Sequence, residues 1–300
     1  MELPLNGISV GLDCGKGDIS FLSHAHGDHT SGLRRRETLI ASDETLALSG
    51  LPASLYVGNG FSLLDAGHIL GSRQLFAESD GCSSLYTGDF RLKDGIFGKG
   101  AEAREADRLI IECTYGDPKF RFPEPFDVYD DIAKWASSNR DSILLIGAYN
   151  LGKAQEVIRV LNEYCSIAPI VMENAERFNQ VYEKFGQKLD RAVVGTDEAE
   201  ELMRGGFVAV VPPRTATQSF AYGLSKAFGR RALTAAATGW ALAHRVRADR
   251  TFPLSDHADF PDIISFVEQV APKEIRFVHG DGRKLEAELK KRGLFSPFSP

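Results

Sequence analysis

The sequence lacks any long run of apolar residues. No stretch approaches the roughly 18 consecutive apolar residues of a membrane-spanning helix, and the N-terminus, MELPLNGISV, has no basic region followed by a long apolar segment. We therefore expect a soluble, unexported, cytoplasmic protein. Internal repeats and low-complexity segments are also missing, which argues against a repeat architecture.

Cysteine is scarce as well. The four cysteines, Cys14, Cys82, Cys113 and Cys165, lie far apart and form no CxxC pair. This spacing argues against both a thiolate zinc site and a dithiol redox motif. We expect reduced, mostly buried thiols.

Positively charged residues are fewer than negatively charged ones. The chain has 35 Lys and Arg residues and 41 Asp and Glu residues, for a formal net charge of −6. This balance argues against indiscriminate binding to a polyanion, although it omits the charge of any bound metal ion. Local basic clusters remain at Arg34–Arg36, at Arg230–Arg231, and at Arg245, Arg247 and Arg250. Each cluster is either a solvated face or part of a surface for an anionic substrate.

A length of 300 residues suits two domains, since domains usually span about 50 to 250 residues. The first 115 residues contain short β-type runs divided by turns, with a helix predicted only at Asp43–Ser49, which favours a sheet-rich sandwich or barrel. Beyond the Pro-rich stretch 117–125, predicted helices alternate with strands, as in a parallel sheet flanked by helices. The predicted helices there and in the C-terminal part cover 127–138, 152–165, 174–184, 260–271 and 283–292.

Four metal-ligand side chains lie within six positions directly after the apolar run ISFLS. They are His24, His26, Asp28 and His29. Imidazole and carboxylate groups hold borderline divalent cations such as zinc. If a strand precedes the cluster, His24 and His26 point the same way and the turn at Gly27 directs the next two ligands to a second position. The pattern therefore favours two metals, and the alternative is a solvated loop rich in histidine.

Further ligand candidates follow other predicted strands. His68 follows the run FSLLDAG, Asp89 ends SSLYTGDF, His257 lies in LSDHADF and His279 ends EIRFVHG. The carboxyl ends of strands can converge on one edge of a sheet, where loops leave room for a substrate. Each residue alone could instead be a structural histidine or a turn-forming aspartate. His244 has no such setting.

One stretch is similar to the phosphate loop of nucleotide hydrolases. The residues from Gly147 to Ala154, GAYNLGKA, follow a strand and open a helix as that loop does. Ala154 stands where the loop needs a hydroxyl to hold magnesium, so nucleotide hydrolysis is the weaker interpretation. A helix N-terminus with Lys153 can instead hold a backbone phosphate of a nucleic acid. We expect the same of Ser72, which follows Gly71 in the first domain.

These stretches together resemble the motifs of one family. The run SHAHGDH resembles the signature of the metallo-β-lactamase superfamily, and AGHILGS, YTGDF, ECTYG, LSDHADF and FVHG resemble, in order, further motifs of its β-CASP nuclease branch. That branch contains RNA 3′-end processing factors, RNase J-type enzymes and DNA-repair nucleases of the Artemis and Snm1 type. The runs IGAYNLGKAQEV and TAAATGW are most similar to small bacterial and archaeal exonucleases encoded beside a DNA ligase.

The resemblance implies a di-zinc site, with manganese as the alternative ion. The first zinc would be held by His24, His26 and His68, the second by Asp28, His29 and His279, and Asp89 would bridge the two. Asp13 would support these ligands through hydrogen bonds.

The resemblance also implies that Glu112 orients His257, which protonates the leaving oxygen. A positioned general acid of this kind usually contributes about 100- to 10,000-fold, and a neighbouring carboxylate keeps imidazole protonated near neutral pH. The alternative for Glu112 is a buried acid paired with a structural arginine. Asp259 is interpreted separately, as the cap of the helix that begins near Phe260.

The resemblance thus implies a four-layer αβ/βα metallo-β-lactamase fold over residues 1–122 and 250–300, with an inserted α/β β-CASP domain over 123–249. We expect a zinc-dependent nuclease in which a hydroxide held by both metals attacks phosphorus, leaving 5′-phosphate ends. Asp28 and Asp89 would serve the reaction as ligands. We expect the cleft beside the metals to be narrow, which would favour single-stranded DNA or RNA.

The ligase-associated relatives suggest DNA repair, with a DNA ligase or helicase as a partner, and the other relatives suggest RNA processing. Two alternatives remain. One is a small-molecule hydrolase of the same fold, such as a lactonase, thioesterase or β-lactamase. The other is a non-catalytic scaffold subunit of an RNA-processing complex. The sequence leaves the choice between exonuclease and endonuclease, and the oligomeric state, open.

Overall fold

A computed structural model describes residues 1–33 and 38–298 of the chain. The basic cluster Arg34–Arg36 lies outside the described residues. The chain divides into two compact units, which we call unit 1 (Met1–Arg121 with Asp256–Pro300) and unit 2 (Phe122–Ser255). In the part of the chain that the structure describes, no helix is both long and apolar enough to cross a membrane.

Unit 1 contains two five-stranded sheets. The strands of the first sheet, in spatial order, are β1 (Glu2–Leu5), β2 (Ile8–Leu12), β3 (Ile19–Phe21), β4 (Thr38–Ile40) and β5 (Ser54–Leu55). Those of the second sheet, also in spatial order, are β16 (Glu274–Val278), β9 (Arg108–Glu112), β8 (Cys82–Tyr86), β7 (Arg73–Ser79) and β6 (Phe61–Asp65). The helices of unit 1 are α1 (Gly27–Thr30), α2 (Asp43–Ser49), α8 (Phe260–Val270) and α9 (Arg283–Lys291).

The apolar side chains of unit 1 form layers on both sides of each sheet. One core joins the facing sides of the two sheets and includes Phe21, Leu75 and Ile110. A second core packs the outer face of the second sheet against α8 and α9, through residues such as Ile111 and Phe266. A smaller cluster around Leu39 lies next to α2 on the outer side of the first sheet. The predicted four-layer αβ/βα architecture is therefore confirmed.

Unit 2 contains a six-stranded sheet in which every neighbouring pair is parallel. Its strands, in spatial order, are β12 (Ala192–Val193), β11 (Ile170–Val171), β13 (Phe207–Val211), β10 (Ile143–Gly147), β14 (Ala232–Ala237) and β15 (Arg250–Phe252). Its helices are α3 (Pro125–Ser137), α4 (Lys153–Cys165), α5 (Glu173–Lys184), α6 (Asp197–Met203) and α7 (Gln218–Phe228), followed by a 3₁₀ turn (Gly239–Leu242). Strands β10 and β13 are buried throughout, as expected of strands covered on both faces.

Strand direction in the second sheet of unit 1 decides where the predicted ligands lie. Strands β16, β9 and β8 are parallel, and β6 runs the same way because β7 is antiparallel to both β6 and β8. The carboxyl ends of these strands therefore lie at one edge of the sheet. His68, Asp89, Glu112 and His279 lie at or shortly after those ends.

Candidate metal centre

The predicted ligands form two groups that share Asp89. One ligand atom from each of His24, His26, His68 and Asp89 lies within 4.8 Å of the others, and the same is true of His29, Asp89 and His279. His24, His26 and His29 follow β3 or lie on α1, and the edge of the second sheet positions His68, Asp89 and His279.

The first group has the spacing of a tetrahedral donor set. His26 Nδ1 lies 3.1 Å from His24 Nε2 and 3.1 Å from His68 Nε2. Two nitrogens bound to one zinc at about 2.0–2.1 Å and a tetrahedral angle are roughly 3.3 Å apart. Asp89 Oδ2 completes the group, 3.5 Å from His24 Nε2 and 3.9 Å from His68 Nε2.

The second group is built around His29. Its Nε2 lies 3.4 Å from the shared Asp89 Oδ2, and its ring centroid lies 4.8 Å from that of the exposed His279. Asp28 is at the edge of this group, with its Oδ2 3.9 Å from His29 Nε2 and its side chain 79% exposed. Among the described residues it belongs to neither of the two compact donor groups.

Asp89 itself provides a test of whether a cation fits here. Its side chain is only 8% exposed, and its Oδ1 atom is buried with no hydrogen-bond partner within residues 1–33 and 38–298. A buried carboxylate oxygen without a donor is costly unless a cation compensates it. The donor set and this oxygen together fit a divalent metal.

In three of the imidazoles, the Nδ1 atom, which lies on the side away from the donor groups, is within hydrogen-bond distance of a supporting oxygen. His29 Nδ1 lies 2.8 Å from Asp13 Oδ2, His68 Nδ1 lies 2.7 Å from the carbonyl oxygen of Asp256, and His24 Nδ1 lies 3.0 Å from Ser23 Oγ. Metal-binding histidines usually donate their second N–H to such groups, which fixes the ring and its tautomer.

Asp13 connects several of these supports. Its carboxylate accepts hydrogen bonds from the backbone N–H and the hydroxyl of Ser23, at 2.7 and 2.6 Å, and from the Tyr86 hydroxyl at 2.7 Å. Tyr86 Oη also lies 3.3 Å from His279 Nε2. The geometry suits the supporting role predicted for Asp13.

Sequence reasoning did not find Ser23 and Tyr86 as parts of this network. Tyr86 carried a usable signal, because it is the last residue of a buried strand and stands three positions before Asp89. Ser23 stands directly before the first histidine of the cluster. The contribution of Asp256 is a backbone oxygen, for which the sequence has no signal.

The electrostatics of the two groups differ. Burial lowers the pKa of His24 and lowers that of His68 to about 3, which keeps both imidazoles neutral, as metal ligands must be. Burial also opposes the charge of His29, but hydrogen bonds to Asp13 and Asp89 outweigh it and raise the pKa of His29 to about 11. This part of the site strongly favours bound positive charge.

Glu112 and His257 form the predicted pair next to the donor groups. Glu112 ends β9, is fully buried, and its Oε1 lies 2.7 Å from His257 Nδ1. The same carboxylate accepts hydrogen bonds from the backbone N–H groups of Phe90 and Thr114, both at 3.1 Å. Burial lowers the pKa of His257, but Glu112 overcomes this and raises it to about 10. The ring centroid of His257 lies 4.6 Å from that of His68.

The side chains of Ser72 and Lys153, which were predicted to contact phosphate, have partners within the protein. Ser72 Oγ is buried and accepts hydrogen bonds from the backbone N–H groups of His68 and Ile69, so it closes the turn that carries His68. Lys153 is 2% exposed, and its Nζ lies 3.2 Å from Glu156 Oε2 inside unit 2. This burial and pairing speak against a phosphate contact by Lys153.

The chain matches known proteins along most of its length. Residues 243–293 match the family described as the Zn-dependent metallo-hydrolase RNA specificity domain. The probable DNA ligase of Opitutus terrae is 33% identical over 304 residues, which cover 92% of this chain and 28% of that protein. An RNase J-like protein of Methanocaldococcus jannaschii is 32% identical over 108 residues, covering 35% of this chain and 26% of that protein. The chain thus spans between a quarter and a third of the length of these two relatives.

The fold also has a counterpart among solved structures. A protein of unknown function from Enterococcus faecalis V583 superposes with a TM-score of 0.63 and 15% sequence identity, covering 94% of this chain and 79% of that one. This likeness supports the fold alone. With the domain match, the related proteins and the histidine and aspartate groups taken together, the chain belongs to the metallo-β-lactamase superfamily, in its β-CASP nuclease branch.

Proposed function

We propose that the protein is a di-zinc phosphodiesterase that hydrolyses single-stranded nucleic acid and leaves 5′-phosphate ends. The observation that carries this proposal is the sharing of Asp89 by two donor groups beside the Glu112–His257 pair. In this proposal, unit 1 is the catalytic domain and unit 2 is the inserted β-CASP domain.

The ligands are divided between two metal positions. His24, His26 and His68 would hold one zinc and His29, His279 and Asp28 the other, with Asp89 between them. Two such ions, when bound, supply an activated water and positive charge for the phosphate oxygens. The exposure of Asp28 leaves room for this carboxylate to turn toward the second ion.

The chain's own general acid is His257. Glu112 accepts a hydrogen bond from its Nδ1, which leaves Nε2 to carry the proton that the leaving sugar oxygen requires. Phe90 and Thr114 fix the Glu112 carboxylate through their backbone N–H groups, so the imidazole is held in one orientation. Asp13 plays the corresponding positioning role for His29 and Ser23.

The biological context that we infer is DNA repair. The support is the alignment of nearly the whole chain with part of a probable DNA ligase. Under this proposal the nuclease trims ends that a ligase then joins, so a DNA ligase is the partner to test first.

The decisive experiment compares 5′- and 3′-labelled RNA and DNA of one sequence, incubated with zinc-loaded protein and separated on one gel. We expect cleavage of a single-stranded substrate, products with 5′-phosphates, close to two zinc ions per chain by elemental analysis, and no cleavage by Asp89→Ala. Four uncut substrates, together with hydrolysis of a chromogenic lactam or a thioester, would instead establish a small-molecule hydrolase.

A further inference from the structure

Unit 2 contains a cavity of about 440 Å³ that the proposed metal centre does not use. Its lining includes Gly147 at the end of β10, Pro213 just after β13, and Ala237 at the end of β14. These three strands are neighbours in the parallel sheet. The volume falls within the range of about 300–1,000 Å³ that is typical of ligand pockets.

The cavity lies where the direction of winding changes. From β10 the chain passes through α4 to β11 on one side of the sheet order, and from β13 it passes through α7 to β14 on the other side. Because both crossovers are expected to be right-handed, α4 and α7 lie on opposite faces and leave a crevice at the carboxyl ends of β10 and β13. Ligands of open α/β sheets bind in such crevices.

The segment that supplies most of the cavity lining is basic, although the whole chain is acidic. Residues 214–250 contain one acidic residue, Asp249, and seven basic residues, namely Arg214, Lys226, Arg230, Arg231, Arg245, Arg247 and Arg250. The formal net charge of the complete chain is −6. Lys226, Arg230 and Arg231 lie near the end of α7 or before β14, whereas the cavity is at the start of α7 and the end of β14. Arg247 lines the cavity itself and supplies the positive charge that favours an anionic ligand there.

The single acid of the segment is engaged in fixing the loop that carries the basic residues. The Asp249 carboxylate accepts hydrogen bonds from the backbone N–H and the hydroxyl of Thr234, at 2.7 and 2.9 Å, and from Gln218 Nε2 at 3.1 Å. The loop before Asp249 is thereby tied to β14, and Arg247 from this loop lines the cavity. The exposed Arg247 is thus presented by an anchored loop.

The lining also includes an exposed aromatic ring. Tyr149 follows β10, is 54% exposed and borders the cavity together with Arg247. An arginine next to an exposed aromatic ring suits a nucleotide, since the guanidinium can contact a phosphate and the ring can stack on a base.

We propose that this cavity binds one nucleotide unit of a single-stranded nucleic acid, with Arg247 on the backbone phosphate and Tyr149 stacked on the base. This inference rests on the proposed function and adds to it a polymer contact in unit 2.

The test measures binding of fluorescein-labelled dT15 and rU15 by fluorescence anisotropy at several salt concentrations. The zinc-loaded full chain carries His257→Ala, so that the probe stays intact. We expect Tyr149→Ala to weaken binding by about 5- to 100-fold, and Tyr149→Phe to retain it. We expect Arg247→Ala to reduce the slope of log K against log salt by about 0.7 to 1, and Arg247→Lys to restore most of it.

Matched controls come from the same unit. Arg204 is exposed and pairs with Glu201, and Tyr164 is a partly exposed tyrosine on α4. Neither lines the cavity, so Arg204→Ala and Tyr164→Ala should leave affinity and salt slope unchanged. Circular dichroism of each variant reports folding.

The outcomes separate this inference from the proposed function. Equal affinities of Tyr149→Ala, Arg247→Ala and their controls, or no binding of either oligonucleotide, would overturn the nucleotide site. Hydrolysis of bis(p-nitrophenyl) phosphate by the unaltered zinc protein tests the metal centre independently, because that substrate has no polymer to reach the cavity.

Discussion

Buried charge at single residues distinguishes the candidate metal centre from an ordinary polar cluster. Asp89 is nearly buried, one of its oxygens has no hydrogen-bond partner among the described residues, and Glu112 is fully buried against His257. Burying a carboxylate costs several kcal/mol unless a cation or a hydrogen-bonded partner compensates it. In the proposed function the metals compensate Asp89 and protonated His257 compensates Glu112, so both acids have a chemical reason to be where they are.

Substitution of the proposed general acid gives the first prediction. We expect His257→Ala to lower nuclease turnover by about 100- to 10,000-fold, because the leaving oxygen would depart without a proton. Zinc content should stay unchanged, since this residue is not among the proposed ligands. Turnover is measured with a labelled oligonucleotide and zinc by elemental analysis.

The same pair provides a control for this prediction. Glu112→Gln keeps an oxygen that can accept from Phe90 or from His257 but removes the charge that holds the imidazole protonated. We expect an intermediate loss of turnover. If His257→Ala cleaves as fast as the unaltered protein, this histidine is not the acid.

The ligand residues of the candidate site were predictable from sequence where they directly follow a predicted strand. His68, Asp89 and His279 follow strands of the second sheet that share a direction, and such strands end at one edge. His24 follows β3 of the first sheet. Lys153 shows the limit of this reasoning. Its position at the N-terminus of a helix predicted a phosphate contact. Its burial and its pairing with Glu156 depend on tertiary packing that no local pattern contains.

Among the elements, the turn after β8 is held by a glycine that cannot be replaced without a clash. Gly88 has φ of +55°, and a Cβ placed on it would lie 2.5 Å from Ser23 Cβ and 2.7 Å from Ser23 Oγ. Ser23 is the residue that joins Asp13 to His24. Overpacking usually costs about 1–3 kcal/mol, and the positive φ adds about 1–2 kcal/mol of backbone strain for alanine. We therefore expect Gly88→Ala to lose about 2–5 kcal/mol of stability and to bind zinc more weakly.

Gly81 offers a matched control for this prediction. It has φ of +74° in the turn between β7 and β8, and a Cβ there would meet nothing within 4 Å. Gly81→Ala should therefore cost only the backbone strain of about 1–2 kcal/mol and leave zinc affinity unchanged. Denaturant unfolding and zinc titration measure both quantities, and equal zinc affinities of the two variants would contradict the argument.

Helix α5 supplies a prediction about pH. Arg191 Nη2 lies 2.6 Å from Glu176 Oε1, and both side chains are almost buried. Burial raises the pKa of Glu176, but the hydrogen bonds from Arg191 and Asn179 outweigh it and lower the pKa. A carboxylate with a lowered folded pKa stabilises the fold above its unfolded pKa of about 4.3 and loses this contribution as the pH falls.

We therefore expect Glu176→Gln to cost about 1–3 kcal/mol at pH 7 and progressively less below about pH 4.3. Urea unfolding of both proteins across this pH range provides the measurement. The exposed pair Lys188–Asp190 supplies the control, because Asp190→Asn should change stability by less than about 0.5 kcal/mol at either pH. A difference for Glu176→Gln that stays constant with pH would refute the assignment.

The sequence patterns predicted the long amphipathic helices better than the short elements or those with few large apolar side chains. Helices α3, α4, α5, α8 and α9 begin and end within two residues of the predicted bounds, and Asp259 caps α8 by accepting from Asp262 N–H as predicted. Helix α7 and strand β14 were not predicted. Strand β14, ALTAAA, has few large apolar side chains, and its burial comes from parallel pairing with β10 and β15. Pairing between distant strands is not visible in a local pattern.

For the whole molecule, the division into two units has a consequence for the boundary of the inserted segment. The predicted boundary before residue 250 would cut β15 away from the sheet to which it is hydrogen-bonded through β14. Each unit has its own apolar core, around Phe21 and Ile111 in unit 1 and around Leu145 in unit 2. Two separate cores allow two separate unfolding transitions.

Zinc should therefore stabilise one unit and not the other, because every proposed ligand belongs to unit 1. Free zinc at about 100 times its dissociation constant stabilises the folded state by about 2.7 kcal/mol, which corresponds to roughly 5–10 °C for a unit of this size. Both tryptophans, Trp135 and Trp240, belong to unit 2. We expect zinc to raise the midpoint temperature of one calorimetric transition, that of unit 1. The unfolding midpoint from tryptophan fluorescence, which reports on unit 2, should stay the same.

The variant Asp89→Ala checks the origin of that shift. Without the shared carboxylate, zinc should change the midpoint temperature of neither calorimetric transition. The midpoint from tryptophan fluorescence should equal that of the unaltered protein. If zinc raised the tryptophan midpoint as much as the calorimetric one, the two units would unfold together or the metal would bind in unit 2. If Asp89→Ala retained the full zinc shift, the metal would lie elsewhere than in the cluster around Asp89.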